Sequence, residues 1–283
     1  MQSWKRQTIL VDAHVHIHEC FDLPAFLDSA FENFRGRAEK LGELKSFTAI
    51  LTLAEQSGME RFQDLRNYAD KGHEIGSRTG DRWTLHHTDE DCSLFARSVY
   101  NNHGMFIIAG RQIVSAEDLE LLTLCIDRSF KAGMPLQKLL REALRSDAVA
   151  VIPWGPGKWL GRRGALLKSI LIDAEKPRFF LGDNSGRPVF WPRPSLFRLA
   201  ESKGIRTLPG SDPLPFPSEC GRAGSFGFSV RGTISPKAPA LDLRRIVHDP
   251  AAHIVPYGRF ERPAPFFRNQ LSMQLMKRKS KKK

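Results

Sequence analysis

Short continuous apolar runs alternate along this chain with stretches whose apolar residues recur every three or four positions. That is the pattern of buried strands separated by one-sided helices. Ile9-Leu10-Val11 opens the series as a strand. Leu23, Phe26, Leu27, Ala30, Phe31, Phe34 and Leu41 then share one helical face, with Asp22 placed to cap the helix and Gly42 to end it. Residues 47–53 read as a strand and 59–69 as a helix ending near Gly72. Residues 83–87 and 105–109 read as further strands, with 94–100 a candidate neighbour for the second. A long helix is expected from Ser115, whose hydroxyl precedes Glu117 and Asp118 as a cap would, and another from Pro135 through Leu144. Strands at 148–153 and 178–181 are each followed by a helical pattern, near 165–174 and 195–203. A last strand, 205–208, runs into Gly210-Ser211-Asp212-Pro213.

Seven or eight strand-then-helix repeats predict an α/β fold, a distorted (β/α)8-like TIM barrel over residues 1–212. Closing such a barrel brings the ends of its first and last strands together. Beyond Asp212 the chain turns rich in Gly and Pro, so 213–276 reads as a long covering segment packed on the barrel, with one short helix near 241–248. Residues 277–283 carry six positive charges and no acid, and read as a disordered basic tail. Half of the net charge of +12 therefore sits in that tail. Its readings are a weak contact with a polyanion or a merely solubilising end.

The length of 283 residues suits one large core, and no apolar run approaches the roughly 18 residues that span a bilayer. The N-terminus lacks the basic-then-apolar layout of a signal peptide, because Ile9-Leu10-Val11 meets Asp12 at once. Cys20, Cys92, Cys125 and Cys220 are far apart without CxxC spacing, which suits a reducing compartment. A cytoplasmic location is the resulting expectation.

The chemistry concentrates at Asp12-Ala13-His14-Val15-His16-Ile17-His18. Side chains alternate in a strand, so His14, His16 and by extension His18 project to one face, where converging neutral imidazoles can hold a divalent metal. This His-x-His after the first strand, with Gly-Ser-Asp-x-Pro after the last, resembles the amidohydrolase superfamily of metal-dependent hydrolases. The polymerase-and-histidinol-phosphatase type of metallo-phosphoesterase is a related resemblance. It covers most of the expected barrel by element order, but only the first and last motifs are specific. The resemblance implies that His14 and His16 are metal ligands and that Asp212 is a ligand or the catalytic base for a metal-activated water. Zinc is the first choice from imidazole and carboxylate donors, with manganese or iron open.

The middle of the chain departs from the pattern. Amidohydrolases supply Lys or Glu after strand four and histidines after strands five and six, and no His stands at 153–158 or 182–187. Asp183 is the best placed to complete a mononuclear site, with Glu55, His86 and His87 as further candidates. His73, His103, His248 and His253 read as ordinary surface or core polar residues. Two Gly-rich loops lie on the expected metal face: Gly155 to Gly164 with Lys158, Arg162 and Arg163, and Asp183 to Pro188 with Arg187. Backbone amides and cations there suit an anion. Trp154, Trp159 and Trp191 are candidate apolar walls, and Arg111 with Gln112 candidates to reach the pocket. The sequence is thus expected to encode a metal-dependent hydrolase with Lys158, Arg162, Arg187 and Trp154 holding a small anionic amide, ester or phosphoester. The rivals are a related barrel that has lost catalysis and binds a ligand or partner, and a polyanion-binding protein acting through its tail. Oligomeric state is left open.

Overall fold

The structure, a computed structural model, describes residues 6–76, 80–101, 103–174 and 178–280. Strand β1 (Gln7–Val15) is followed by helix α1 (Leu23–Lys40), β2 (Phe47–Leu53) and α2 (Arg61–Lys71). As expected, Asp22 caps α1, its carboxylate accepting from Ala25 N at 3.2 Å. Then comes a run of six strands without a helix: β3 (Ile75–Gly76), β4 (Arg82–His87), β5 (Ser93–Ser98), β6 (Gly104–Ile108), β7 (Gly110–Val114) and β8 (Glu120–Leu124). Helix α3 (Leu136–Arg145), β9 (Val149–Pro153), α4 (Gly161–Ile172), β10 (Phe179–Gly182) and α5 (Ser195–Ser202) follow. A 3-10 turn at Pro217–Arg222, β11 (Gly227–Gly232), α6 (Pro239–His248), β12 (Val255–Tyr257) and α7 (Pro263–Ser280) complete the described chain.

Among the described residues the strands form two mixed sheets and no closed barrel, which corrects the TIM-barrel expectation. The larger sheet has eight strands in the order β12-β11-β1-β2-β6-β5-β4-β3, and the smaller has four, β10-β9-β8-β7. Of the strand pairs described, only β1–β2 and β2–β6 in the larger sheet and β9–β10 in the smaller are parallel. The reason lies in 82–124. There β4, β5 and β6 meander antiparallel, and β7–β8 is an antiparallel hairpin where a helix was expected. Ser115 caps that hairpin turn instead, its hydroxyl accepting from Glu117 N and Leu119 N at 3.3 and 3.2 Å.

Strand β1 is buried on both faces, with alternate residues serving different cores. Leu10 and Val15 join Phe26, Leu27, Phe31 and Phe34 of α1, while Ile9, Val11 and Ala13 join Phe228, Val230, Leu243 and Val247 from the region after Asp212. Residues 227–232 pair antiparallel with β1, so this late segment supplies a sheet neighbour of the first strand. A third core lies between α3, α4, α5 and strands β8–β10. The backbone of 277–280 continues α7; their side chains, and residues 281–283, lie outside the described residues. No helix among the described residues is long and apolar enough to cross a membrane.

Candidate metal centre

The end of β1 is irregular in a way that aims its histidines. Between Asp12 and Val15 the register with β2 shifts, three steps on β1 matching two on β2, as at a β-bulge. Opposite β1 runs the extended segment 207–212, which bridges to β10 at Leu181–Thr207 and Asn184–Gly210. It is pinned to β1 by Ala13 N donating to Pro209 O at 3.2 Å and Asp212 N to His14 O at 2.8 Å. Gly210 makes this approach feasible, since a Cβ there would lie 2.2 Å from His14 N.

Asp12, fully buried, clamps the same junction. Its carboxyl accepts from Ser211 N (2.7 Å), Gly224 N (2.8 Å) and His14 N (3.3 Å). Burial pushes its pKa up to about 7, against the pull of those donors. Asp212 itself sits at φ 49, a left-handed backbone that a non-glycine residue adopts at some cost.

The clamp brings three donors together. His14 Nε2 and His16 Nε2 are 3.0 Å apart, and Asp212 Oδ1 is 3.4 Å from each. Both imidazoles are buried and Asp212 is half-buried. Asn184 Nδ2 donates to the other oxygen, Asp212 Oδ2, at 2.8 Å and to Trp154 O at 3.0 Å, which fixes the carboxylate's orientation. Gln112 Oε1 stands 3.1 Å from His14 Nε2. Burial lowers the pKa of His14, with Asp212 pulling it back up. For Asp212, burial raises the pKa, but His14, His16 and Lys158 outweigh it and hold the carboxyl below its usual range. An ionised Asp212 and a His14 imidazole that burial keeps from protonation suit metal ligation.

The residues fit a divalent ion. Donor separations of 3.0–3.4 Å would let His14, His16 and Asp212 share one ion at bonds of about 2.0–2.2 Å. His14, His16 and Asp212 are the group of metal-ligating type found among the described residues. His16 Nδ1 is buried with no hydrogen-bond partner among the described residues, so the usual brace behind a ligating imidazole is absent on that ring.

The other expected site residues part company. Asp183 is bound by Arg187 through two hydrogen bonds, Nε to Oδ1 at 3.0 Å and Nη2 to Oδ2 at 2.8 Å, and stands outside the metal group. Arg187 also lies 3.8 Å over the Phe260 ring, and the pair lines a separate cavity of about 630 Å³ with Phe226 and Tyr257. Lys158 is near enough to act on Asp212 but is paired with Glu120. Arg162 is exposed on the first turn of α4, and Trp154 is buried against Trp191. His18 is buried, its Nε2 donating to Pro213 O at 2.9 Å rather than joining the pair. His86 and His87 are exposed on β4, against Thr84 and Asp70. Glu55 is buried, accepting from Phe62 N at 2.6 Å and facing Arg111 at 3.0 Å.

Sequence reasoning gave no role to Asp12, Asn184 or Glu120. Asn184 carries no spacing signal, and Glu120 was hidden by the helix expected there. Asp12, directly before the His-x-His and between apolar residues, was the one with a visible cue.

No family profile and no curated protein matches the chain. Two solved structures resemble it in fold. PsfC from Pseudomonas syringae PB-5123 is 16% identical, with 97% of this chain and 99% of that one covered, at a TM-score of 0.50. The lesion-specific endonuclease PfuEndoQ from Pyrococcus furiosus is 12% identical, with 89% of this chain but 59% of that one covered, also at 0.50. Likenesses at this identity establish a shared fold alone. The amidohydrolase resemblance gains no support beyond the first and last motifs.

Proposed function

We propose that this protein is a metal-dependent hydrolase whose centre is His14, His16 and Asp212. The observation that carries the reading is the convergence of their three donor atoms at 3.0–3.4 Å on strand ends some two hundred residues apart in sequence. A divalent ion held there supplies an activated water and an electrophilic contact to the scissile group. Asp212 takes the ligand role, because its Oδ1 stands 3.4 Å from the Nε2 of each histidine. Asn184 keeps its second oxygen turned away from the histidines. Zinc, manganese and iron all suit two imidazoles and a carboxylate.

The substrate class follows from what surrounds the centre. Lys158, although paired with Glu120, is the partly exposed cation near Asp212 and so the one placed to hold an anionic group, whereas Arg187 is buried against Asp183 and Arg162 lies exposed on α4. The fold shared with an endonuclease puts phosphoesters first for testing, ahead of amides and esters. The decisive measurement is metal content of the purified protein by elemental mass spectrometry, beside the His14→Ala/His16→Ala double variant. Near-stoichiometric metal in the parent and none in the variant, with phosphoester, amide or ester hydrolysis lost alongside, supports the reading. A parent that stays metal-free after incubation with zinc and manganese sinks it.

A further inference from the structure

His14 Nε2 is crowded beyond what one nitrogen can satisfy. His16 Nε2 at 3.0 Å, Gln112 Oε1 at 3.1 Å and Asp212 Oδ1 at 3.4 Å all face it. A neutral imidazole nitrogen carries either one proton or one lone pair, so it serves one such neighbour at a time. If the proton is present, one of the three neighbours accepts it and the other two face a nitrogen with nothing further to donate. If it is absent, Gln112 Oε1 and the His14 lone pair confront each other at hydrogen-bond distance. A cation between the atoms resolves every one of these contacts at once.

Gln112 is held in this position by the backbone rather than by chance of a flexible side chain. Its N–H donates to Glu55 O at 2.8 Å, and Glu55 N donates to Gly110 O at 3.0 Å, joining the start of β7 to the end of β2. The contact is too close for any side chain at 110, where a Cβ would meet Leu53 O at 2.4 Å. Strand alternation then sends Arg111 outward to Glu60 and Asp127, and Gln112 toward His14. Gln112 also lines a cavity of about 560 Å³ on that flank, so it stands between the histidines and a space large enough for a substrate.

We infer that the Gln112 side-chain oxygen is a fourth donor to the ion held by His14, His16 and Asp212. The inference rests on the metal-centre reading above and deepens it. A neutral amide oxygen completes a set of two histidines, one aspartate and one glutamine, mixing imidazole with hard oxygen donors. The added oxygen favours manganese more than a purely imidazole shell would. It carries no charge, so the set with one carboxylate leaves the bound ion net positive and more able to polarise a substrate.

The test uses the full chain stripped of metal by chelation, then titrated separately with Mn2+, Zn2+ and Co2+. Binding is followed by calorimetry, and the Co2+ form by its visible absorption. Gln112→Met, which keeps the size and removes the amide, is expected to weaken Mn2+ binding by about 10–100-fold and to change the intensity of the Co2+ bands. Gln112→Glu, which keeps the shape and adds charge, is expected to tighten Mn2+ binding and shift the same bands. Unchanged affinity and unchanged Co2+ spectrum in Gln112→Met overturn the inference. Should that variant fail to fold, the same null result in Gln112→Glu overturns it. A parent that binds these ions while the His14→Ala/His16→Ala variant does not leaves the centre standing whatever Gln112 does. A parent that binds none of them removes both.

Discussion

Two carboxylates, the buried Asp183 and the half-buried Asp212, lie on adjoining segments bridged at Asn184–Gly210, and they meet opposite fates. Asp183 is matched by Arg187, charge for charge and bond for bond, and that guanidinium is stacked on Phe260 besides. Asp212 faces two imidazoles that cannot all be satisfied by the protons available, and its firm partner is the neutral Asn184. A buried acid with a dedicated cation has nothing left to offer a metal. A half-buried acid beside two imidazoles and a neutral amide does. The distinction separates a structural ion pair from a candidate ligand better than position after an apolar run, which both residues share; the run at 205–208 makes isolated bridges and no strand.

Breaking the matched side should give the largest effect on stability. Arg187→Ala leaves Asp183 buried and uncompensated, and should cost about 3–5 kcal/mol in urea unfolding while folded protein keeps its metal. Stoichiometric metal loss from the folded variant would instead make the two carboxylates one site. Gly210→Ala attacks the seam between them. A methyl 2.2 Å from His14 N must push the 207–212 segment away from β1, at about 1–3 kcal/mol and with weaker metal binding. Full metal affinity in that variant would show that the seam tolerates separation.

Glu55 stands between the two cases, paired with Arg111 yet pushed by burial from 4.5 to about 7, with Phe62 N–H and Arg111 pulling it down. Between those values the unfolded chain is ionised at this position while the folded one holds its proton, so stability falls as pH rises. The slope is at most about 1.4 kcal/mol per pH unit. Glu55→Gln removes it, and the variant should gain on the parent from pH 4.5 to 7 and hold level above. A constant difference across that window would contradict the assigned shift. The smallest change is expected from Lys158→Met. The pair with Glu120 is partly exposed, so stability should move by less than about 1 kcal/mol, while KM for an anionic substrate rises and metal content does not change.

Much of the candidate centre was legible because it depends on local rules. Period-two spacing alone places His14 and His16 on one face, and Gly-Ser-Asp after a strand marks a chain that stops and turns. Helix α1 was equally readable from its apolar stripe and the Asp22 cap. The barrel was not, because an apolar run shows that a strand is buried but says nothing of its direction. Strands β4 to β6 look alike whether they pair parallel across helices or fold back as a meander. Ser115 misled for a related reason: a hydroxyl accepting from amides two and four residues on opens a helix or tightens a hairpin with the same atoms. The pairing of Asp183 with Arg187 depends on the path of a loop, and Asn184 gains its role only from a segment that arrives from elsewhere, whereas Gln112 was a candidate to reach the pocket and does stand beside His14.

The pairing of β1 with β11 has a temporal consequence. The first strand must wait for a partner whose register runs from Gln7 against Gly232 to Val11 against Phe228, and for Gly224 to reach Asp12. Closing a loop of that length is slow compared with forming the hairpins between β4 and β8. During synthesis the histidines therefore emerge well before residues 207–232, which complete their surroundings. The three-donor arrangement thus belongs to the finished molecule and not to any early part of the chain.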